Sequence, residues 1–129
     1  MEVRIDNKAH TLIYDEQRQT VRHVIKGFNK EDEWKSLLST GIDILKEKGI
    51  NRWLSDNRLN TVHPPGVNEW IEKEWVPAAI EAGWSKWALV EAEKALGKIS
   101  ERKFIDLFKE LGVEVRLFSS VEEAEAWIG

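Results

Sequence analysis

Three times in this chain a helix-periodic stretch runs into a glycine, and a short apolar run follows. The glycines are Gly49, Gly83 and Gly112, and the runs are "INRWLSD", "KWALVE" and "VEVRLF". Glycine adopts the left-handed backbone that ends a helix without penalty, and a run of five to seven residues rich in Val, Leu and Trp suits a buried strand. Helix–strand alternation of this kind requires crossovers between neighbouring parallel strands, so it restricts the chain to a parallel or mixed sheet covered by helices. The first 27 residues differ. "EVRI", "AHTLIYD" and "TVRHVIKG" are separated only by the polar turns "DNK" and "EQRQ", which predicts a β-meander with antiparallel edges. The expectation is an α/β fold: a mixed, mainly parallel sheet with antiparallel N-terminal hairpins and about four helices.

Local signals place those helices. Asn29 with Asp32 resembles a capping box, and Trp34, Leu37, Leu38, Ile42 and Leu45 follow at helical spacing to about Lys48. Gly41 inside this stretch costs helix stability but allows close packing on a sheet. Pro64 and Pro65 suit a helix start, and Val67, Trp70, Ile71, Trp75, Ala78 and Ala79 form the apolar side of the next helix. Pro77 lies within it and should kink or restart it. Ser100 is read as the cap of a helix carrying Phe104, Ile105, Leu107, Phe108 and Leu111. Ser120 with Glu123 forms a capping-box pattern for a final helix with Ala124, Trp127 and Ile128.

The chain has 129 residues and no linker-like tract, which fits one domain over 1–129. It has no cysteine, which excludes disulfides and thiolate chemistry and suits the cytoplasm. The N-terminus lacks the apolar core of a signal peptide, and no apolar run is long enough for a membrane span. A net charge of −4 without a dense Lys/Arg cluster argues against nucleic acid as a partner. No dinucleotide, P-loop, nucleophile-elbow or zinc-protease motif occurs, and "ALGKISERK" has too few glycines for a phosphate loop. No cofactor and no catalytic residue is expected.

Three stretches, "RWLSDNRLNTV", "EWVPAAIEAGWSKWALV" and "LGVEVRLFSSVEEAEAWIG", resemble the STAS domain of sulfate transporters and anti-sigma-factor antagonists. The resemblance covers the chain from about residue 50 to the end and is nearest to a bacterial branch of small stand-alone members. That fold is related to a domain of the CRAL-TRIO lipid-transfer family. In the antagonists the loop after a central strand begins with Asp, followed by a phosphorylatable Ser at a helix N-terminus. Asp56 matches the Asp, but Asn57 stands at the Ser position and cannot be phosphorylated. The stand-alone branch shows Asp-x-Arg here, as Asp56-Asn57-Arg58 does.

In open α/β sheets ligands bind beyond the carboxyl ends of the strands. Three loops, 56–64, 92–100 and 119–120, should meet there. They offer Asp56, Asn57, Arg58, His63, Lys94, Lys98, Ser119 and Ser120 as candidate ligand- or partner-binding residues. The competing reading is that Asp56 and Arg58 pair with each other. Trp34, Trp53, Trp70, Trp75, Trp84, Trp87 and Trp127 make a heavy aromatic load. They would serve mainly as core, with a lipid-type pocket as the functional alternative. Trp70 and Trp75 are roughly 140° apart on a helix, so one should lie at the edge of the apolar stripe. A hairpin turning at 15–18 would set His10 opposite His23, too few ligands for a metal site. The functional expectation is a non-catalytic STAS-like module binding a protein partner or a second copy near the 56–64 loop. The alternative is a carrier or sensor of a small lipid or anionic metabolite.

Overall fold

The computed structural model describes residues 1–129. Its chain order is β1 (Glu2–Asp6), β2 (His10–Asp15), β3 (Thr20–Ile25), α1 (Glu31–Lys48), β4 (Arg52–Asp56), α2 (Val67–Trp70), a π-helical turn (Ile71–Trp75), α3 (Val76–Glu81), β5 (Lys86–Val90), α4 (Ala95–Glu110), β6 (Glu114–Phe118) and α5 (Val121–Ile128). The six strands form one sheet in sequential order. The β1–β2 and β2–β3 pairs are antiparallel; β3–β4, β4–β5 and β5–β6 are parallel. The fold is the α/β class that the glycine-closed units imply. No helix is long and apolar enough to cross a membrane.

A sheet wound in one direction by crossovers of one hand keeps its crossing helices on one face. Accordingly α1, the α2–α3 rod and α4 share one large core with Leu12, Val21, Ile25, Trp53, Trp87 and Leu89. Alternation along the strands sends the other side chains to the opposite face. There Leu54, Ala88 and Val90 pack with Ala124 and Ile128 of α5, and partly buried Phe118, Val121 and Trp127 border them.

Several helix starts differ from their sequence signals. Lys30, not Asn29, is the N-cap of α1, with Glu33 returning to the Lys30 backbone. Asn29 is buried instead, donating to the carbonyls of Ala9 and Gly27 at 3.1 Å each. Helix α4 begins at Ala95 rather than at Ser100, whose hydroxyl donates to Leu96 O one turn back. Ala, Leu and Lys sustain a helix there, and Gly97 is needed inside it because a Cβ would stand 2.5 Å from Asn60 O and 2.6 Å from Ala92 Cβ. The second rod restarts at Val76 with Pro77 in the first turn of α3, where the missing N–H is tolerated. The π turn before it carries the expected change of face. Trp75 is buried, and Trp70 lies at the core's edge with Lys35 Nζ 5.7 Å from its ring centroid. Gly41 plays the close-packing part: a Cβ would lie 2.0 Å from the Trp53 ring.

Candidate functional site: an aromatic cavity at the strand C-terminal edge

Trp53, Ser55 and Asn57 point to the three-helix side of the sheet. Strand β4 ends at Asp56, but the Asn57 N–H donates to Val90 O at 3.0 Å, so Asn57 still follows the alternation. The chain then turns, with Asn60 N–H on Asn57 O at 2.9 Å. Gly97 lets α4 settle against this turn. One helical turn later Glu101 is brought over it, followed by Phe104 and Phe108 on the same stripe. From α1 come Trp34 and Leu38, from the rod Ile71 and Trp75, and from the strand β5 and its approach Trp87 and Trp84. Together with His23, Asn60 and His63 these residues enclose a cavity of about 60 Å³. That is several times the roughly 10–15 Å³ that one water needs. Every lining residue is buried except half-buried His63, which marks the mouth.

The walls are aromatic. Trp53, Trp75, Trp84, Trp87 and Phe108 stack mainly edge-to-face, with centroid separations of 4.5–6.0 Å. Such contacts add specific geometry to the large area each ring buries. Their indole N–H groups are mostly spoken for. Trp75 donates to Leu38 O at 2.8 Å, Trp84 to Lys86 O at 3.0 Å and Trp87 to Ser55 Oγ at 2.9 Å.

Trp53 starts a chain whose polarity is determined. An indole N–H can only donate, so His23 Nδ1, 3.1 Å away, is the acceptor. His23 is then neutral with its proton on Nε2, which donates to Asn57 Oδ1 at 2.8 Å. The electrostatics agree: burial drives the His23 pKa down to about 4, against the opposing pull of Asn57 and Asp56. Glu101 is shifted the other way. Burial pushes its carboxyl up to about 7, although the Ala92 N–H donates to it at 3.1 Å and the amides of Asn57 and Asn60 favour its charged form. His63 is held below its ordinary range, again chiefly by burial, and its Nδ1 lies 2.7 Å from Asn68 Oδ1.

Of the residues singled out in the sequence, the structure brings Asn57 and His63 into this cavity. Asp56 belongs to the other face of β4, where Arg58 clamps it with Nε–Oδ1 at 2.9 Å and Nη2–Oδ2 at 2.8 Å. That pairing raises the Arg58 pKa, to which Glu93 and Glu122 add. Lys98 is exposed on α4, and Lys94 is that helix's N-cap. Ser119 is exposed; Ser120 caps α5, its Oγ accepting from Glu123 N–H at 3.3 Å. His10 and His23 do share a face, but the register pairs His10 with Ile25 and Leu12 with His23, so the imidazoles are diagonal rather than opposite. His10 Nδ1 is engaged by Asn29 Oδ1 at 2.7 Å, and no cluster of three metal-ligating side chains exists.

Sequence reasoning missed Glu101, which reads as part of a charged "SERK" run. Its spacing carried a signal: positions 97, 101, 104, 105 and 108 form one stripe on α4, so a carboxylate stands on the apolar face. No family model matches the chain, and no curated protein and no solved structure matches it.

Proposed function

We propose that this chain is a STAS-like binding module that takes one small, largely apolar molecule into the aromatic cavity, as a carrier or sensor rather than a catalyst. The supporting observation is that three of the molecule's four buried, unpartnered side-chain polar atoms belong to residues lining this one cavity: Trp34 Nε1, Asn60 Nδ2 and His63 Nε2. An apolar pocket with a few convergent polar groups and shifted pKa values is the usual form of a small-molecule site. Its volume lies far below the roughly 300–1,000 Å³ of drug-sized sites and below the roughly 150 Å³ of a cavity that holds benzene, which argues against an acyl chain and lets a single ring enter only as the walls give. Glu101 inside and Lys98 outside argue against a small anion. Both ring nitrogens of His23 are committed to Trp53 and Asn57, which leaves no adjacent acid–base pair for chemistry. Native mass spectrometry of gently purified protein, with tryptophan fluorescence titrations of single-ring compounds, tests the reading. An added mass or a saturable fluorescence change is expected; an apo mass and flat titrations across such compounds would refute it.

A second reading, docking of a protein partner or another copy near the 56–64 loop, draws support from Leu59, Val62, Leu96 and Ile99. These four are exposed on that loop and on the adjoining first turns of α4. Patches of this kind commonly mark interaction surfaces. Light scattering coupled to size exclusion tests the self-association form, for which a strictly monomeric mass at high concentration would be decisive against it.

A further inference from the structure

Resting on the cavity-binding reading, we infer the chemical class of the occupant. It is an uncharged planar ring compound of amide type, with a carbonyl oxygen beside an N–H on one edge. Most donors of the wall are already taken. Trp53, Trp75, Trp84 and Trp87 each donate their indole N–H within the protein. Among the tryptophans of the wall only Trp34 does not. Its N–H is a donor and nothing else, as is Asn60 Nδ2, which favours the charged Glu101 carboxyl without meeting it in hydrogen-bond geometry. Both call for an acceptor oxygen. Leaving such a buried group unmet is costly, and native structures rarely tolerate it.

His63 supplies the opposite polarity. With Nδ1 donating to Asn68 Oδ1, its buried Nε2 presents a lone pair and calls for a donor. The rings of Trp34 and His63 lie with centroids 4.6 Å apart, so the free donor and the free acceptor belong to adjacent rings. A group that carries an acceptor and a donor side by side satisfies both. Charge narrows the class further. A carboxylate ligand would share the cavity with Glu101, and a cation would face two N–H groups. The apolar walls favour a flat ring as the remainder, and at about 60 Å³, against the roughly 150 Å³ of a cavity that holds benzene, the walls must give to admit it.

The test uses the intact chain and four compounds of one size: benzamide, benzoate, benzylamine and toluene. The readouts are dissociation constants from tryptophan fluorescence and the indole N–H signals in a ¹⁵N–¹H spectrum, with the Trp34 signal assigned by Trp34→Phe. Benzamide is expected to bind about tenfold or more tighter than toluene, the worth of one or two neutral hydrogen bonds. It should shift the Trp34 indole signal downfield, while benzoate and benzylamine bind more weakly than benzamide. Asn60→Ala should weaken benzamide and leave toluene unchanged. If toluene and benzamide bind alike and the Trp34 signal stays put, the polar end is a water site. The amide inference then falls while the cavity reading stands. Tightest binding by benzylamine or benzoate overturns the inference in favour of a charged ligand. If none of the four enters, both readings fall.

Discussion

Strands β4 and β5 serve two unlike faces. Under α5, Leu54, Ala88 and Val90 meet Ala124 and Ile128 in a small aliphatic layer. The charges around that layer are paired. Asp15 accepts from Arg18 at 3.0 Å and Arg22 at 3.5 Å, Arg22 continues to Glu125, and Asp56 is clamped by Arg58. On the three-helix face the side chains are tryptophans, the rings leave a cavity, and three buried polar atoms lack partners. A face that closes upon itself is scaffold. A face assembled with large rigid rings and left polar-incomplete is where the proposed ligand would enter. The contrast arises from one-residue alternation on β4, where Trp53, Ser55 and Asn57 go one way and Leu54 and Asp56 the other.

Removing the centre of the open face should have the largest effect. Trp53 is fully buried, contacts the rings of Trp75, Trp84 and His23, and sits beneath Gly41. Trp53→Ala is expected to cost about 3–5 kcal/mol in urea unfolding, as for large-to-small core changes generally. Filling the opposite side of the same contact should cost less. Gly41→Ala places a methyl against the Trp53 ring and should cost about 1–3 kcal/mol through overpacking. A neutral Gly41→Ala would mean that the ring can shift, and that the cavity is plastic rather than preformed.

The next effect is a dependence on pH that arises on the open face. Glu101 has a folded-state pKa of about 7 against an ordinary 4.5, so the folded state binds its proton more tightly. Its contribution is therefore full below about pH 4.5 and is lost as pH rises through 7, a total of up to about 3 kcal/mol. His23 has the reverse sign. Its folded pKa of about 4 lies below an ordinary 6.5, so its contribution is present above pH 6.5 and is lost as pH falls through 4. In the native chain the two slopes oppose each other over the shared window. Glu101→Gln should expose the histidine slope, with stability rising between pH 4 and 6.5 and exceeding that of the native chain at pH 8. His23→Gln should expose the other slope, falling between pH 4.5 and 7. Urea midpoints across this range, followed by tryptophan fluorescence, separate the cases. Parallel profiles for all three proteins would show that neither group is buried as described.

The sheet was legible because its signals are local and redundant. A glycine, a helical stripe and a short apolar run recur three times, and each is confirmed by Gly49, Gly83 and Gly112 at positive φ. Of the residues picked out at the strand C-terminal edge, Asn57 and His63 line the cavity there. What escaped were features that depend on tertiary neighbours. Ser100 looks like a cap, yet α4 starts a turn and a half earlier because Gly97 fits against Asn60. Asn29 looks like a cap, yet three hydrogen bonds to His10, Ala9 and Gly27 hold it elsewhere. Asp56 and Arg58 were the most conspicuous polar residues of their loop. Strand parity alone would have put Asp56 on the face opposite Trp53, and with it the ion pair away from the cavity. Glu101 was hidden in a run of charged residues, although its spacing from Phe104, Ile105 and Phe108 puts it on their stripe.

The smallest expected effect tests that separation of faces directly. Arg58 and Asp56 form a bidentate pair, but the Arg58 side chain is 45% exposed, so solvent screens much of its charge. Asp56 is buried, and in Arg58→Ala it would keep the backbone N–H of residue 58, now 3.3 Å from Oδ1. The loss should be only about 1 kcal/mol in urea unfolding, most of it from leaving a buried carboxylate with fewer donors. Because the pair lies on the α5 side, the substitution should leave ligand-dependent tryptophan fluorescence unchanged. A change in that signal comparable with the change produced by Asn60→Ala would mean that the 56–60 turn couples the two faces, and that the closed face is not merely scaffold.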